Sequence, residues 1–255
     1  IGASYDLGSG LSAYGSWGRG MESAVAPNRP YYANAGSAIP VAVSTQKEIG
    51  LKQSLGQSAW QVSYFDIRRP ALYETQVATS STATQLCPSS PTDCRIQSFD
   101  EDAHHQGLEL SGDLRLGAWR LGGSGMWLRA VRDSADANIN GHTPTNVPSR
   151  VLRLRADYLV PQVPGLTVGG GISHEGPRKV IDNSAEQVSL PSWTRVDALL
   201  SFQQKLSTET RTLWTLGVTN LFDRRYWRES PTSYGHLYLY PGAARTLRLT
   251  MKTSF

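Results

Sequence analysis

Strict alternation of apolar and polar residues over positions 244–255 constrains the fold more than any other feature of the sequence. Leu249 and Met251 fall on one side of this segment, whereas Arg248 and Lys252 fall on the other. Because successive side chains of a strand point to opposite faces, the pattern predicts a strand with one apolar and one partly cationic face. Transmembrane barrels are built from such segments, and a barrel pairs its last strand to remove the open edge.

Similar alternation recurs along the chain and predicts eleven strands of about ten residues each. The predicted strands are 1–7, 11–18, 46–54, 60–69, 105–116, 119–131, 149–159, 166–174, 193–205, 212–221 and 244–255. Phe65 and Ile67 break the alternation of their segment. This indicates either a β-bulge that shifts the register or two side chains that face an interior.

The predicted connections alternate between short and long from one end of the chain to the other. Short connections begin near positions 8, 55, 117, 161 and 206, and long ones begin near 19, 70, 132, 175 and 222. Outer-membrane barrels have short periplasmic turns and longer extracellular loops, whereas a soluble sandwich or propeller gives no reason for strict alternation. The sequence therefore predicts an all-β, antiparallel transmembrane barrel with the long loops outside. Because single-chain bacterial barrels have even strand numbers, we expect either a miscounted strand or the second part of a larger barrel.

Composition excludes several other classes of protein. No stretch of about 18 uncharged apolar residues is present, so no transmembrane helix is expected. The net charge of +4 is scattered along strands, which argues against a nucleic-acid partner. The start of the chain does not resemble a signal peptide, so we expect a mature chain or a piece of a longer one. The 11 Tyr and 7 Trp against 5 Phe suit rings at a membrane interface.

The only two cysteines, Cys87 and Cys94, lie close together in the Pro- and Ser-rich stretch CPSSPTDC. Their flanks lack the second ligand pair that a zinc site needs. We expect a local disulfide that staples an exposed loop, rather than two free thiols. A disulfide implies an oxidising compartment such as the periplasm or the cell surface.

Two segments near the end of the sequence resemble the C-terminal signature of TonB-dependent outer-membrane receptors. They are LGVTNLFDRRYW at 216–227 and GAARTLRLTMKTSF at 242–255. In that family an NLFD..Y segment precedes the last hairpin and a G.PRT....L...F strand ends the chain, so Ala244 departs from the common pattern. Further similar pieces occur in order at 46–52 (QKEIGLK), 107–110 (GLEL), 147–150 (VPSR) and 190–197 (LPSWTRVD).

The resemblance covers nearly the whole chain and implies a barrel of 22 strands filled by an N-terminal plug. It implies that residues 1–255 form the C-terminal half of that barrel, about eleven strands, with the plug absent from this chain. The implied function is outer-membrane active transport of a ferric siderophore or similar metal chelate in a Gram-negative bacterium, energised through TonB. The implied partners are the ferric siderophore, the plug and missing strands, the TonB complex and outer-membrane lipid. No enzymatic activity and no cofactor beyond the transported ligand are expected.

Two other functions remain open. A complete small barrel of 10 or 12 strands would act as a passive pore or a surface protease, although no catalytic motif supports the protease. A soluble β-sandwich adhesin would have a second layer covering the apolar faces. Asp102, His104 and His105 are expected to be a polar strand entrance rather than a metal site, because no further ligand with fixed spacing is in view.

Aromatic rings and arginines in the loop 222–242 form the most binding-like patch. It contains Tyr226, Trp227, Tyr234, Tyr238, Tyr240, Arg224, Arg225 and Arg228. Such groups suit an anionic or catecholate ligand, but they are equally typical of an interfacial aromatic girdle. The candidate ligand-binding residues are Arg228, Tyr234 and Tyr238, with Tyr31, Tyr32 and Tyr73 in other long loops. Charged strand residues are expected to line the lumen and pair with each other and the plug; they are Arg153, Arg155, Asp157, Arg195, Asp197, Arg248 and Lys252.

Overall fold

Backbone pairing joins eleven strands into one antiparallel sheet, as the sequence predicts. The computed structural model describes residues 1–77, 81–230, 232–233 and 236–254. Its strands are β1 (Gly2–Gly8), β2 (Leu11–Val25), β3 (Ala38–Leu55), β4 (Ser58–Gln76), β5 (Arg95–Leu116), β6 (Trp119–Asp133), β7 (Arg150–Leu159), β8 (Leu166–Glu175), β9 (Arg178–Asp182), β10 (Gln187–Leu190), β11 (Trp193–Lys205), β12 (Arg211–Thr219), β13 (Trp227–Glu229), β14 (Thr232–Ser233), β15 (His236–Leu237), β16 (Tyr240–Pro241) and β17 (Thr246–Ser254).

The large sheet is a meander with two open edges. Its strands lie in the order β1, β2, β3, β4, β5, β6, β7, β8, β11, β12 and β17, so each pairs with its predecessor. Among the described residues, β1 and β17 are the edges and do not pair with each other. The sheet therefore does not close on itself, as a complete small barrel would.

The connections alternate between short and long, as predicted, but several long loops are shorter than expected. Strand β2 continues to Val25 and β3 begins at Ala38, so the predicted loop from 19 to 45 is wrong in extent. The predicted loop 70–103 shrinks in the same way, because β4 runs to Gln76 and β5 begins at Arg95. Alternation fades in these extensions while the backbone ladder continues, since pairing does not require an apolar face.

The two faces of the sheet differ as the sequence predicts. Directly opposite residues of an antiparallel pair share a face, and Leu200, Leu216 and Leu249 form one such row across β11, β12 and β17. Leu249 is 68% exposed, Met251 59% and Leu200 42%. No second protein layer packs on these side chains within the described residues. This exposed apolar face contradicts a soluble β-sandwich, whose inner faces are covered.

Phe65 and Ile67 lie on the polar face, and no bulge precedes them. The register of β4 with β3 and β5 is continuous through both residues. Phe65 is only 7% exposed, and a Cβ at the opposite Gly107 would lie 2.5 Å from its ring carbon Cζ. Of the two explanations that the sequence offered, the β-bulge is wrong, and the two side chains face the interior. A glycine opposite the ring provides the space.

The connection between β4 and β5 carries the predicted disulfide. A short helix, α1 (Ser81–Leu86), and a 3₁₀ turn (Pro91–Asp93) hold Cys87 and Cys94, which are bonded to each other. Both sulfurs are fully buried, in a small cluster with Ala83. Within the described residues, no helix is long and apolar enough to cross a membrane.

Candidate ligand-binding mouth

All five long connections lie at the same end of the sheet, because every second connection of a meander returns to that end. They span 26–37, 77–94, 134–149, 176–192 and 220–245. We call this end the mouth. It brings together the predicted tyrosines and the aromatic loop, which lie far apart in the sequence.

The first long connection is bonded to the start of β5, directly after the second. Ala33 N–H donates to the Arg95 carbonyl over 2.7 Å, and the Asn34 side chain donates to the Gln97 carbonyl over 2.7 Å. Arg95 also forms an ion pair with Glu74, 3.1 Å from Nη1 to Oε2. Ala33 also packs against the buried cluster of Ala83, Cys87 and Cys94, so both β5 and the stapled 77–94 segment hold the loop 26–37 in place.

Tyr32 and Tyr73 use their hydroxyls within this layer. Tyr32 is 6% exposed, its hydroxyl donates to Glu74, and its ring packs 4.9 Å from the ring of Tyr31. Burial, and next the Glu74 carboxylate, raise the pKa of Tyr32. The phenol therefore stays protonated at neutral pH. The Tyr73 hydroxyl donates to Asp136 Oδ2 over 2.6 Å, which joins β4 to the third long connection.

The third long connection, 134–149, is the hub of the mouth. Thr143 N–H donates to Asp182 Oδ2 over 2.6 Å, and His142 Nδ1 lies 3.4 Å from Asp182 Oδ1. The Asn146 side chain donates to the Ser230 carbonyl over 2.7 Å and accepts from Ser230 N–H over 2.8 Å. The third, fourth and fifth long connections are therefore linked by hydrogen bonds.

Two acidic groups have lowered pKa values: Asp136, which lies in the hub, and Asp182, which accepts a hydrogen bond from it. The Tyr73 hydroxyl, and then the Asn138 amide, lower the pKa of Asp136. Burial by itself raises the pKa of Asp182, but the Thr143 amide, His142 and Lys179 outweigh it and hold the pKa below its usual value. Both carboxylates are therefore charged acceptors at neutral pH.

Asn220 anchors the start of the fifth long connection. It is fully buried, and its side-chain amide donates to the carbonyls of Arg224 and Ala243, each over 2.9 Å. Its Oδ1 accepts Arg224 N–H over 2.9 Å, and its own N–H donates to Asp197 Oδ1 over 2.8 Å. Asn220 has φ 55°, a conformation that asparagine tolerates better than most residues.

Trp193 and Tyr226 stack on the polar side of the sheet beside this anchor. Their ring centroids are 4.5 Å apart with an interplanar angle of 27°. Trp193 is 7% exposed, and its buried indole N–H has no hydrogen-bond partner among the described residues. A Cβ at Gly242 would lie 2.0 Å from Tyr226 Cζ, so the ring lies directly over that glycine. Any larger residue at Gly242 would displace the ring.

The aromatic and arginine loop presents exposed side chains beyond the stack. Arg228 and Tyr238 are exposed, as are Arg224 and Arg225. Tyr234 lies outside the described residues. A cavity of about 740 Å³ lies here. Its lining includes Pro191, Asp223, Arg225, Tyr226, Trp227 and Pro241.

The predicted wall charges share the polar face, and five of the seven form ion pairs. Arg155 Nε lies 2.8 Å from Asp157 Oδ2, and Arg195 Nη2 lies 3.0 Å from Asp197 Oδ2. Arg153 pairs with Glu175 rather than with another predicted charge, over 3.4 Å. Arg248 and Lys252 share this face on β17.

The candidate metal residues do not converge. Strand alternation places His105 on the polar face and Asp102 and His104 on the apolar face. His104 Nε2 instead lies 2.9 Å from Asp66 Oδ1. Among the described residues no group of three potential ligands could hold a metal ion.

Comparison with known proteins decides the family. The family profile described as "TonB dependent receptor-like, beta-barrel" matches residues 1–221. The chain belongs to the TonB-dependent receptor family. This confirms the resemblance drawn from the sequence, and the antiparallel sheet is part of such a barrel.

Curated relatives and solved structures agree with this family. The ferrichrome receptor FcuA of Yersinia enterocolitica is 28% identical over 225 residues, which cover 87% of this chain and 27% of that protein. The ferrichrome outer membrane transporter/phage receptor of Escherichia coli (strain K12) is 32% identical over 124 residues, 48% of this chain and 16% of that protein. The crystal structure of BauA, the ferric preacinetobactin receptor of Acinetobacter baumannii, has a TM-score of 0.75 at 23% identity. It covers 99% of this chain, which spans 35% of that structure.

Two of the family-like segments of the sequence meet in the structure. The segments 190–197 and 216–227 supply Trp193, Asp197, Asn220 and the Tyr226 ring to one cluster at the mouth. Sequence reasoning quoted both segments but did not single out Trp193, Asn220 or the stack as a site. The signal in the sequence was that both segments resemble the family, one at the start of β11 and the other at the end of β12.

Proposed function

We propose that the protein carrying this chain imports a ferric siderophore or similar metal chelate across the outer membrane of a Gram-negative bacterium. Residues 1–255 would be the C-terminal portion of its barrel, with the mouth at the cell surface. The observation that carries this proposal is the uncovered apolar face opposite an ion-paired polar face in a member of this receptor family. Such a sheet suits lipid on one side and an aqueous or protein-filled lumen on the other.

The names of the relatives support a chelate as the ligand. Ferrichrome appears in two of them, and a relative in Pseudomonas aeruginosa is the metal-pseudopaline receptor CntO. The solved structures similar in fold include the ferric yersiniabactin uptake receptor FyuA of Yersinia pestis, with a TM-score of 0.74 at 16% identity. These are chemically different chelates, so the fold does not select one of them.

Ligand contact is proposed at the mouth, through Arg228, Tyr234 and Tyr238. Tyr31 is a further candidate in the loop 26–37, at the same end of the sheet. Tyr32 and Tyr73 remain candidates through their rings, because both hydroxyls donate to carboxylates. Arginines and aromatic rings bind anionic chelates by charge-assisted hydrogen bonds and by cation–ring attraction.

Energy from TonB distinguishes this proposal from a passive pore. The open edges β1 and β17 would pair with upstream strands of a 22-strand barrel, and the plug of that receptor would block free diffusion. Transport would then require the inner-membrane proton gradient. We propose no enzymatic reaction.

The test is uptake of radioactive iron in a strain without its own siderophore receptors, expressing the full-length protein. Iron-loaded ferrichrome and an iron-loaded catecholate are the probes. We expect at least one probe to accumulate, and its uptake but not its surface binding to stop when TonB is deleted. Accumulation without TonB would indicate a pore, and absence of both binding and uptake for every chelate would contradict the proposal.

The contact residues are tested separately in the same cells. Alanine at Arg228 or Tyr234 should weaken surface binding, whereas alanine at the outward-facing Leu216 should not. Unchanged affinity in both contact variants would remove those residues from the site.

A further inference from the structure

The polar face of the last three strands of the sheet carries cations that have no matching carboxylates. Lys205 on β11, Arg211 on β12, and Arg248 and Lys252 on β17 are all exposed on this face. None of the four has a carboxylate within ion-pair distance among the described residues. We call these four residues the cationic stripe.

Asp197 is the one carboxylate that the described residues place on the polar face of these three strands, and it already has partners. Its Oδ2 lies 3.0 Å from Arg195 Nη2. Its Oδ1 accepts the Asn220 N–H over 2.8 Å. Asp197 therefore does not neutralise the stripe.

The polar face of the earlier strands has charges of both signs. On β2 to β5 they include Glu22, Glu48, Lys52, Arg69, Glu109, Asp113 and Arg115. Glu22 and Arg69 form an ion pair of 3.2 Å across these strands. A wall of mixed sign has little net attraction for an anion, whereas a wall with only unpaired cations raises the local concentration of anions.

The cations of the stripe are close to one another and follow the strand direction. Lys205 and Arg211 are directly opposite each other, an arrangement in which like charges repel. Arg211 is opposite Ser254, two residues beyond Lys252, and Arg248 lies four residues nearer the mouth than Lys252. At about 3.3 Å per residue, the stripe runs about 20 Å from Arg248 toward the short-turn end. Because a bound anion would offset the repulsion, this arrangement favours an anionic occupant.

The stripe continues from the mouth. Arg195 lies on the same face and nearer the mouth, and its side chain donates to Tyr226 as well as to Asp197. Beyond Tyr226, the fifth long connection exposes further cations; they are Arg224, Arg225 and Arg228. Cations therefore extend from the proposed contact loop down one wall of the polar face.

An aliphatic side chain lies within the stripe. Leu213 is directly opposite Lys252 on the polar face and is 40% exposed. Apolar surface beside a few charged groups is typical of sites for organic ligands. It suits an organic anion better than a small hydrated ion.

We propose that the transported chelate is anionic and that it passes along the cationic stripe on its way through the barrel. This rests on the proposed function and names its substrate class. Three hydroxamate groups balance the charge of Fe(III), whereas three catecholate groups leave an excess of three negative charges. The stripe attracts a chelate of the second kind and gives the first no electrostatic gain. Exposed, flexible cations hold such a ligand weakly enough for it to leave.

The experiment measures iron uptake by cells that express the full-length receptor. Lys205→Gln/Arg211→Gln removes two charges of the stripe. The control, Arg115→Gln/Arg120→Gln, removes two exposed cations that are also directly opposite each other on the polar face at the short-turn end. Unlike the stripe, this pair has a carboxylate beside it, because Asp157 is opposite Arg120. A third variant, Lys205→Arg/Arg211→Lys, keeps both charges.

The probes are radioactive iron bound to a tricatecholate and to ferrichrome, a neutral trihydroxamate. We expect the wild type to take up the tricatecholate in preference. The stripe variant should take it up about 10-fold more slowly with unchanged affinity at the cell surface. The control and the charge-conserving variant should both behave as the wild type does.

Unchanged uptake in the stripe variant, or equal slowing in the stripe and control variants, would overturn the proposal. Equal slowing of both chelates, or a lower urea midpoint of the purified stripe variant, would also overturn it by showing a structural role such as seating the plug. Preferential uptake of ferrichrome by the wild type would overturn the anionic class and leave the proposed transport function standing. Absence of uptake for both probes would contradict that function, and this inference with it.

Discussion

At the scale of single residues, the packing of the fifth long connection depends on two residues, Asn220 and Gly242. Asn220 makes three side-chain hydrogen bonds to backbone groups and has a positive φ. Gly242 provides the space under the Tyr226 ring. Both lie in segments that resemble the family signature, and in this structure both have a packing role.

Replacement of Asn220 by alanine should destabilise the protein by about 2–4 kcal/mol, because buried backbone groups lose their partners and alanine is disfavoured at this φ. Asn220→Gly removes the backbone strain at positive φ but does not restore the side-chain hydrogen bonds, so it should recover only part of the lost stability. The measurement is the urea midpoint of the purified full-length protein in detergent. Equal stability of the glycine variant and the wild type would mean that the side-chain bonds contribute nothing.

Gly242→Ala should displace Tyr226 from Trp193 and weaken chelate binding. Gly217→Ala is the matched control, since its Cβ would meet nothing within 4 Å. Combining Gly242→Ala with Tyr226→Ala should cost less than the sum of the two single changes, because the clash disappears with the ring. Additive losses in affinity would show that the ring and the glycine act independently.

At the scale of elements, the long connections are held by bonds to one another rather than by a common core. The stapled segment 77–94 supports the loop 26–37, and the hub 134–149 joins the next two connections. Reduction should weaken the first of these supports, and acid should weaken the second.

Reduction of the Cys87–Cys94 disulfide should loosen the segment 77–94 without unfolding the sheet. The bond closes a loop of sequence separation 7, for which the chain-entropy estimate is about 2–3 kcal/mol of local stability. Limited proteolysis should show new cleavage within 77–94 only after reductant is added. A Cys87→Ser/Cys94→Ser variant should be cleaved with or without reductant, and resistance in both cases would contradict a stabilising role.

Acid should open the hub. The pKa values of Asp136 and Asp182 are lower in the folded protein than in the unfolded chain, so their contribution is complete above about pH 5 and is lost as pH falls below about 4. Hydrogen exchange at the Thr143 amide, corrected for its intrinsic pH dependence, should accelerate in that range. In Asp182→Asn the exchange should be fast already at neutral pH. Protection of Thr143 that is independent of pH down to about 3 would contradict this link.

At the scale of the whole molecule, the sheet exposes both an apolar face and two unpaired edges. Backbone groups at such edges cannot find water partners in lipid. We therefore expect residues 1–255 expressed alone to remain protease-sensitive and not to insert into the membrane. Co-expression with the upstream part of the receptor should restore a barrel that is extracted only by detergent and whose mobility on a gel changes on heating. Stable insertion of the isolated segment would show that it closes by pairing β1 with β17.

Much of the architecture was predictable because it depends on neighbours in the sequence. Alternation assigns Leu249 and Arg248 to opposite faces whatever surrounds them, and a repeated rhythm of short and long connections assigns the loops to one end. The cysteine pair is similarly local. The extensions of β2 to β6 were missed because the alternation that marks a strand disappears there. Residues 38–43 of β3, AIPVAV, are apolar at successive positions and include a proline, whereas residues 95–102 of β5, RIQSFDED, are mostly polar.

The sequence by itself predicted the eleven strands of the large sheet, its two faces, the disulfide and the family, but not the six short strands of the long connections. Only the tertiary structure decided which loop residues meet: Trp193 with Tyr226, Asn220 with Ala243, and the hub with Ser230. The physical reason is that periodicity is a property of consecutive residues, whereas these contacts join residues up to 84 positions apart through strand register and loop packing.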